Sequence, residues 1–112
     1  MALWKSSLNP FVTILPHTSP AVLPMILDIP GLQWSIHIGI YLPTRGLEHE
    51  WVIALAALTL VLEYAQETYP SLPIYIKGDS NVNPNHQVRK WTWDEVLQRF
   101  GLSSLDIGHH FR

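Results

Sequence analysis

Ile74-Tyr75-Ile76-Lys77-Gly78-Asp79-Ser80-Asn81-Val82-Asn83 is the stretch on which the reading of this chain turns. β-prone apolar residues run to Lys77, Gly78 interrupts them, and a polar cluster continues to His86, which predicts a strand over 74–77 emptying into a polar loop. Loops at the carboxyl ends of strands are where α/β proteins assemble their sites. If residues 79–83 stay extended, Asp79, Asn81 and Asn83 project to one side and Ser80 to the other, so a carboxylate and an amide can hold a water between them. The same residues also make ordinary turns, since Gly-Asp-Ser-Asn and Asn-Pro end strands without any chemistry.

Upstream, Leu47 to Tyr69 predicts the main helix. Ala54, Ala57, Leu58, Val61 and Ala65 recur at helical spacing, with Glu63, Gln66 and Glu67 on another face, and Pro70 and Pro73 follow the end. Before it, Trp34 to Leu42 alternates Ile36, Ile38 and Ile40 against His37, Gly39 and Tyr41, the pattern of a half-buried strand. Five prolines between Pro10 and Pro30 exclude long helices there, leaving short strands at Phe11 to Leu15 and Met25 to Asp28. Downstream, Thr92 and Glu95 form a candidate capping box for a helix carrying Trp93, Val96, Leu97 and Phe100, with Gly101 as its C-terminal cap. Leu102 to Ile107 could open another strand. Strand, helix and strand in succession imply an α/β layered fold.

The 112 residues leave room for one domain or part of one. Their hydrophobic content is 47% and only 14% are charged, against about 25% in ordinary globular domains; surface is in short supply, as in a segment of a larger fold. Without cysteine, disulfides, thiolate metal sites and thiol nucleophiles are excluded. The net charge of −2 gives no overall pull toward nucleic acid, so a local patch would have to hold it. Lys77, Arg89, Lys90 and Arg99 are its candidates in the C-terminal half, and Trp91 and Trp93 could stack on bases or simply pack. The apolar run from Trp51 to Leu62 falls short of the roughly 20 residues a membrane span needs, and no secretory pattern opens the chain, so the expected compartment is intracellular.

The run from Ile74 to Asn83 resembles the strand followed by Gly-Asp-x-Asn of the endonuclease/exonuclease/phosphatase superfamily. Ile38-Gly39-Ile40-Tyr41-Leu42-Pro43-Thr44 resembles the strand that ends in Tyr-x-Pro-Asn/Thr in those enzymes, and the intervening helix agrees in length. Ser35-Ile36-His37-Ile38 and the Asn81-Val82-Asn83 run are most similar to retroelement-like members. The resemblance implies about half of a four-layer α/β sandwich and a magnesium-dependent phosphodiester hydrolase acting on DNA, with a nuclear location. It also implies site residues: Asp79 as the base acting on the attacking water, Asn81 holding the scissile phosphate, and Tyr41 as a phenolic donor to it, with Asn83 and Lys77 as further substrate contacts.

The departures are specific. The family's upstream asparagine, its magnesium-binding glutamate and its terminal Ser/Thr-Asp-His have no counterpart in this sequence. Glu48, Glu50, Glu63 and Glu67 fall on or beside the main helix, and His109-His110 lacks the preceding aspartate. No magnesium ligand is therefore assigned within the chain, and a non-catalytic remnant or interaction fragment is the alternative. Gly78-Asp79-Ser80 with Asp106-Ile107-Gly108-His109 also resembles the two blocks of GDSL-type serine esterases, but those blocks stand at opposite ends of their domain and here lie close together. His37 is expected to be a buried, hydrogen-bonded histidine; His17 and His49 are expected to be exposed.

Overall fold

A computed structural model describes residues 10–44, 47–82 and 87–102. Four strands and two helices follow in the order β1 (Val12–Ile14), β2 (Val22–Leu27), β3 (Ser35–Tyr41), α1 (Glu48–Thr68), β4 (Ile74–Asp79) and α2 (Gln87–Arg99). The strands form one sheet ordered β1-β2-β3-β4. β1, β2 and β3 pair antiparallel, whereas β4 returns through α1 to lie parallel to β3. The chain is thus a mixed α/β structure, with β3 and β4 neighbours as the alternation and the intervening helix predict.

The period-two pattern of the strands sorts the sheet into two faces. Rows Pro24–Ile38–Ile76 and Ile26–Ile36–Ile74 share the face that packs under the helices, where Ile36, Ile38, Leu58, Leu62 and Ala65 are fully buried in one cluster with Trp51, Trp93, Leu97 and Phe100. Each such aliphatic side chain contributes roughly 1.5–3 kcal/mol by leaving water. The helices run side by side in the same direction, since Arg89 meets Glu48 near their starts and Arg99 meets Glu63 near their ends. The other sheet face carries Ile14–Met25–His37–Tyr75 and Leu23–Gly39–Lys77 and lies under no described helix or strand; Ile14 is 47% and Tyr75 46% exposed.

Three boundaries differ from expectation. β2 begins at Val22, because Pro24 is tolerated within it: the Pro24 carbonyl accepts from the Leu15 N–H on the β1 side. A strand residue's two backbone groups point the same way, so the missing donor also faces the end of β1 and the β2–β3 ladder loses nothing. β4 continues through Gly78 to Asp79, both still paired with β3. α2 starts at Gln87, not at Thr92, whose hydroxyl donates to the Val88 carbonyl at 2.8 Å inside the helix instead of capping it. Trp93, Leu97 and Phe100 are buried and Val96 half-buried, as their spacing predicts. The strand expected at 102–107 lies beyond Leu102, outside the described residues. Among those residues no helix is long and apolar enough to cross a membrane.

Candidate active site at the carboxyl ends of β3 and β4

β3 and β4, being parallel, finish at the same edge of the sheet. Tyr41 and Asp79 are Cα partners in the final rung of their ladder, and alternation puts both on the face away from the helices. Tyr41 is 60% exposed and Asp79 half-buried. The rung before them explains the glycine of the motif. Gly78 has φ +126°, and a β-carbon there would lie 2.1 Å from the Ile40 carbonyl oxygen, so only glycine fits.

Beyond Asp79 the chain leaves the extended conformation. Asn81 has φ +50°, a region that asparagine tolerates better than most residues, and its N–H donates to the Asp79 carboxylate at 2.9 Å. This is an Asx-turn, in which the carboxylate folds its own following backbone. The Asn81 side-chain amide in turn donates to the Leu42 carbonyl, and the Leu42 N–H donates to the Asp79 carbonyl at 2.9 Å. The end of β4 is therefore fastened to the end of β3 on both sides of Asp79. The even alternation expected for residues 79–83 fails at Asn81, and Asn83 lies outside the described residues.

Ser80 points the other way from Asp79, as expected, and is completely buried, with its Oγ lacking a hydrogen-bond partner among the described residues. Its carbonyl accepts from the Trp51 indole N–H at 2.9 Å. A serine nucleophile needs exposure and a base at its oxygen; Ser80 is fully buried and has no base at its oxygen among the described residues. Asp106 and His109 are outside the described residues.

Of the four cations named for a basic patch, Arg89 is not at the surface. Arg89, read as a surface cation, is 2% exposed and among the described residues donates to both Glu48 carboxylate oxygens at 2.8 and 3.1 Å, and to the carbonyls of Pro43, Asn81 and Thr44 at 2.9 Å each. Its guanidinium also sits 5.0 Å from the Trp51 ring centroid. It clamps the loop after β3 to the loop after β4 and to the start of α1. No sequence pattern signals this, because Glu48, Pro43 and Thr44 lie more than forty residues away. Lys90 pairs with Asp94 at 2.8 Å and Arg99 with Glu63 at 2.6 Å. Trp93 is buried and unavailable for stacking, while Trp91 is 63% exposed. Lys77 is exposed on the open sheet face.

His37 shares that face. Its Nε2 lies 2.9 Å from the Ser35 hydroxyl and its ring stacks on Tyr75 at 5.3 Å. Burial, with Lys77 nearby, pushes its pKa below the ordinary 6.5, the expected cost of charging an imidazole out of water and near a cation. It is half-buried and hydrogen-bonded, close to expectation, and His17 and His49 are exposed.

Among the described residues no three His, Cys, Asp or Glu side chains converge into a metal-binding group. Comparison with protein-family models, with curated proteins and with solved structures finds no match to this chain.

Proposed function

We propose that this chain, over residues 1–112, carries one side of a phosphodiester-hydrolysing site of the endonuclease/exonuclease/phosphatase type, within a four-layer sandwich of which it contributes about half. DNA is the substrate that reading favours, in an intracellular, nuclear setting. The observation that carries it is the shared rung of Tyr41 and Asp79 at the carboxyl edge of two parallel strands. A carboxylate there can take a proton from water while a neighbouring phenol donates to the phosphate oxygen on which charge develops. Asn81 acts by holding Asp79 against Leu42 as well as by any contact with phosphate, and Lys77 and Asn83 remain its candidate substrate contacts. The open sheet face is the surface a second sheet would cover in a sandwich.

No step is routed through magnesium. The open sheet face, on which Ile14 and Tyr75 are exposed, favours the second reading, a non-catalytic interaction fragment. Plasmid nicking separates the two. The chain joined to segments supplying a metal-binding glutamate and a Ser/Thr-Asp-His should nick DNA with magnesium and stop in EDTA. A joined protein that binds metal, folds and still nicks nothing would leave the non-catalytic reading standing.

A further inference from the structure

α1 is apolar on two sides. Trp51, Ala54, Leu55, Leu58, Val61, Leu62 and Ala65 face the core, yet Val52, Ile53 and Leu60 on the opposite side are 54–56% exposed, and Ala56 between them is exposed as well. A helix that is apolar all round is ordinarily covered all round. The outward seam reads His49, Ile53, Ala56, Leu60, Glu63, Glu67, alternating steps of four and three as helix-pairing seams do. It is also symmetric about Leu58. Turned end for end, the same seam sets His49 against Glu67, Ile53 against Glu63 and Ala56 against Leu60.

We propose that a second copy of this chain docks antiparallel along the outer face of α1. Three features select that occupant and orientation. Small Ala56 faces the partner's large Leu60 and the reverse, so the two helices can interdigitate at about 8–10 Å. His49 offers an imidazole N–H to the partner's Glu67 at both ends of the seam, whereas a parallel pairing would oppose Glu63 and Glu67 to their own copies. The helix dipoles also oppose each other in the antiparallel arrangement. Glu63, which this pairing sets against the partner's Ile53, already has its charge met by Arg99 at 2.6 Å. The contact is isologous and closes as a dimer. With a single helix face on each side it is small, so the dimer is a weak one.

Sedimentation velocity of the full chain over a range of concentrations tests this, with helical dichroism verifying that each variant is folded. The wild type should show a concentration-dependent dimer. Leu60→Glu should raise its dissociation constant at least about tenfold, being a charge at the centre of the seam, and His49→Glu should raise it several-fold by opposing two carboxylates. His49→Glu combined with Glu67→Lys should restore association. Within one chain these positions are eighteen residues apart, about 27 Å along a helix, so rescue reports only the intermolecular antiparallel contact. A monomer at every concentration, association indifferent to Leu60→Glu, or a double variant no better than His49→Glu would each overturn the proposal.

Discussion

Gly78 lies in the ladder directly opposite Ile40, and the Ile40 carbonyl oxygen occupies the place where a side chain on residue 78 would begin. The Gly-Asp-x-Asn pattern is therefore under a packing constraint before any chemistry is considered. Gly78→Ala should cost on the order of 3 kcal/mol, from a positive φ and a backbone collision together. Gly31→Ala, at φ +85° with nothing within 4 Å, should cost only about 1 kcal/mol. Urea midpoints of the two variants provide the comparison, and equal losses would contradict the Gly78–Ile40 contact.

Arg89→Met should cost on the order of 3 kcal/mol, since it removes the donor to the Pro43, Thr44 and Asn81 carbonyls. Arg89→Lys should recover little of this, because an ammonium cannot reproduce the planar fork. Glu48→Gln should cost much less, about 1 kcal/mol or under, as that side chain is 49% exposed. Denaturant unfolding of the three variants checks the ordering; a lysine variant as stable as wild type would argue against the clamp.

Ser80→Ala should be neutral or stabilising by up to about 1 kcal/mol, because it deletes a buried hydroxyl with no partner among the described residues. A clear loss in thermal or urea stability would mean that the hydroxyl is bonded in solution.

The lowered pKa of His37 makes a signed prediction. The folded state holds its proton less tightly than the unfolded state, so acidification favours unfolding. Stability should be unaffected by this group well above pH 6.5, fall as pH drops below 6.5, and level off once pH is below the folded-state value. His37→Gln should remove that part of the decline and leave the alkaline side unchanged. Urea midpoints between pH 8 and pH 5 report the difference; parallel curves for the two proteins would contradict it.

Local periodicity was enough to read β3 and α1, whose predicted limits of 34–42 and 47–69 differ from Ser35–Tyr41 and Glu48–Thr68 by one residue at each end. The parallel pairing of β3 with β4 follows from the helix between them, and with it the shared edge of Tyr41 and Asp79. Tertiary effects were hidden. Pro24 reads as a strand breaker until the position of β1 shows which side lacks a donor. Thr92 and Glu95 carry a capping signature, yet Trp93 and the Arg89 clamp continue the helix upstream to Gln87. Arg89 itself has the composition of a surface cation, and only the folded chain brings carbonyls from two loops to its guanidinium. The turn at Asn81 likewise depends on the Leu42 carbonyl, thirty-nine residues earlier.

The assignment of Asp79, rather than Ser80, as the reacting residue is tested most directly by measuring plasmid nicking and short acyl ester hydrolysis, each with and without EDTA. The protein is the chain joined to the metal-binding glutamate and Asp-His segments, as wild type, Asp79→Asn and Ser80→Ala. Asp79→Asn should reduce magnesium-dependent nicking by at least about a hundredfold, the scale of a lost general base. Ser80→Ala should retain most of it, since a fully buried hydroxyl on the opposite side of the strand end reaches no substrate. Ester hydrolysis that disappears with Ser80 and survives EDTA would contradict the account outright.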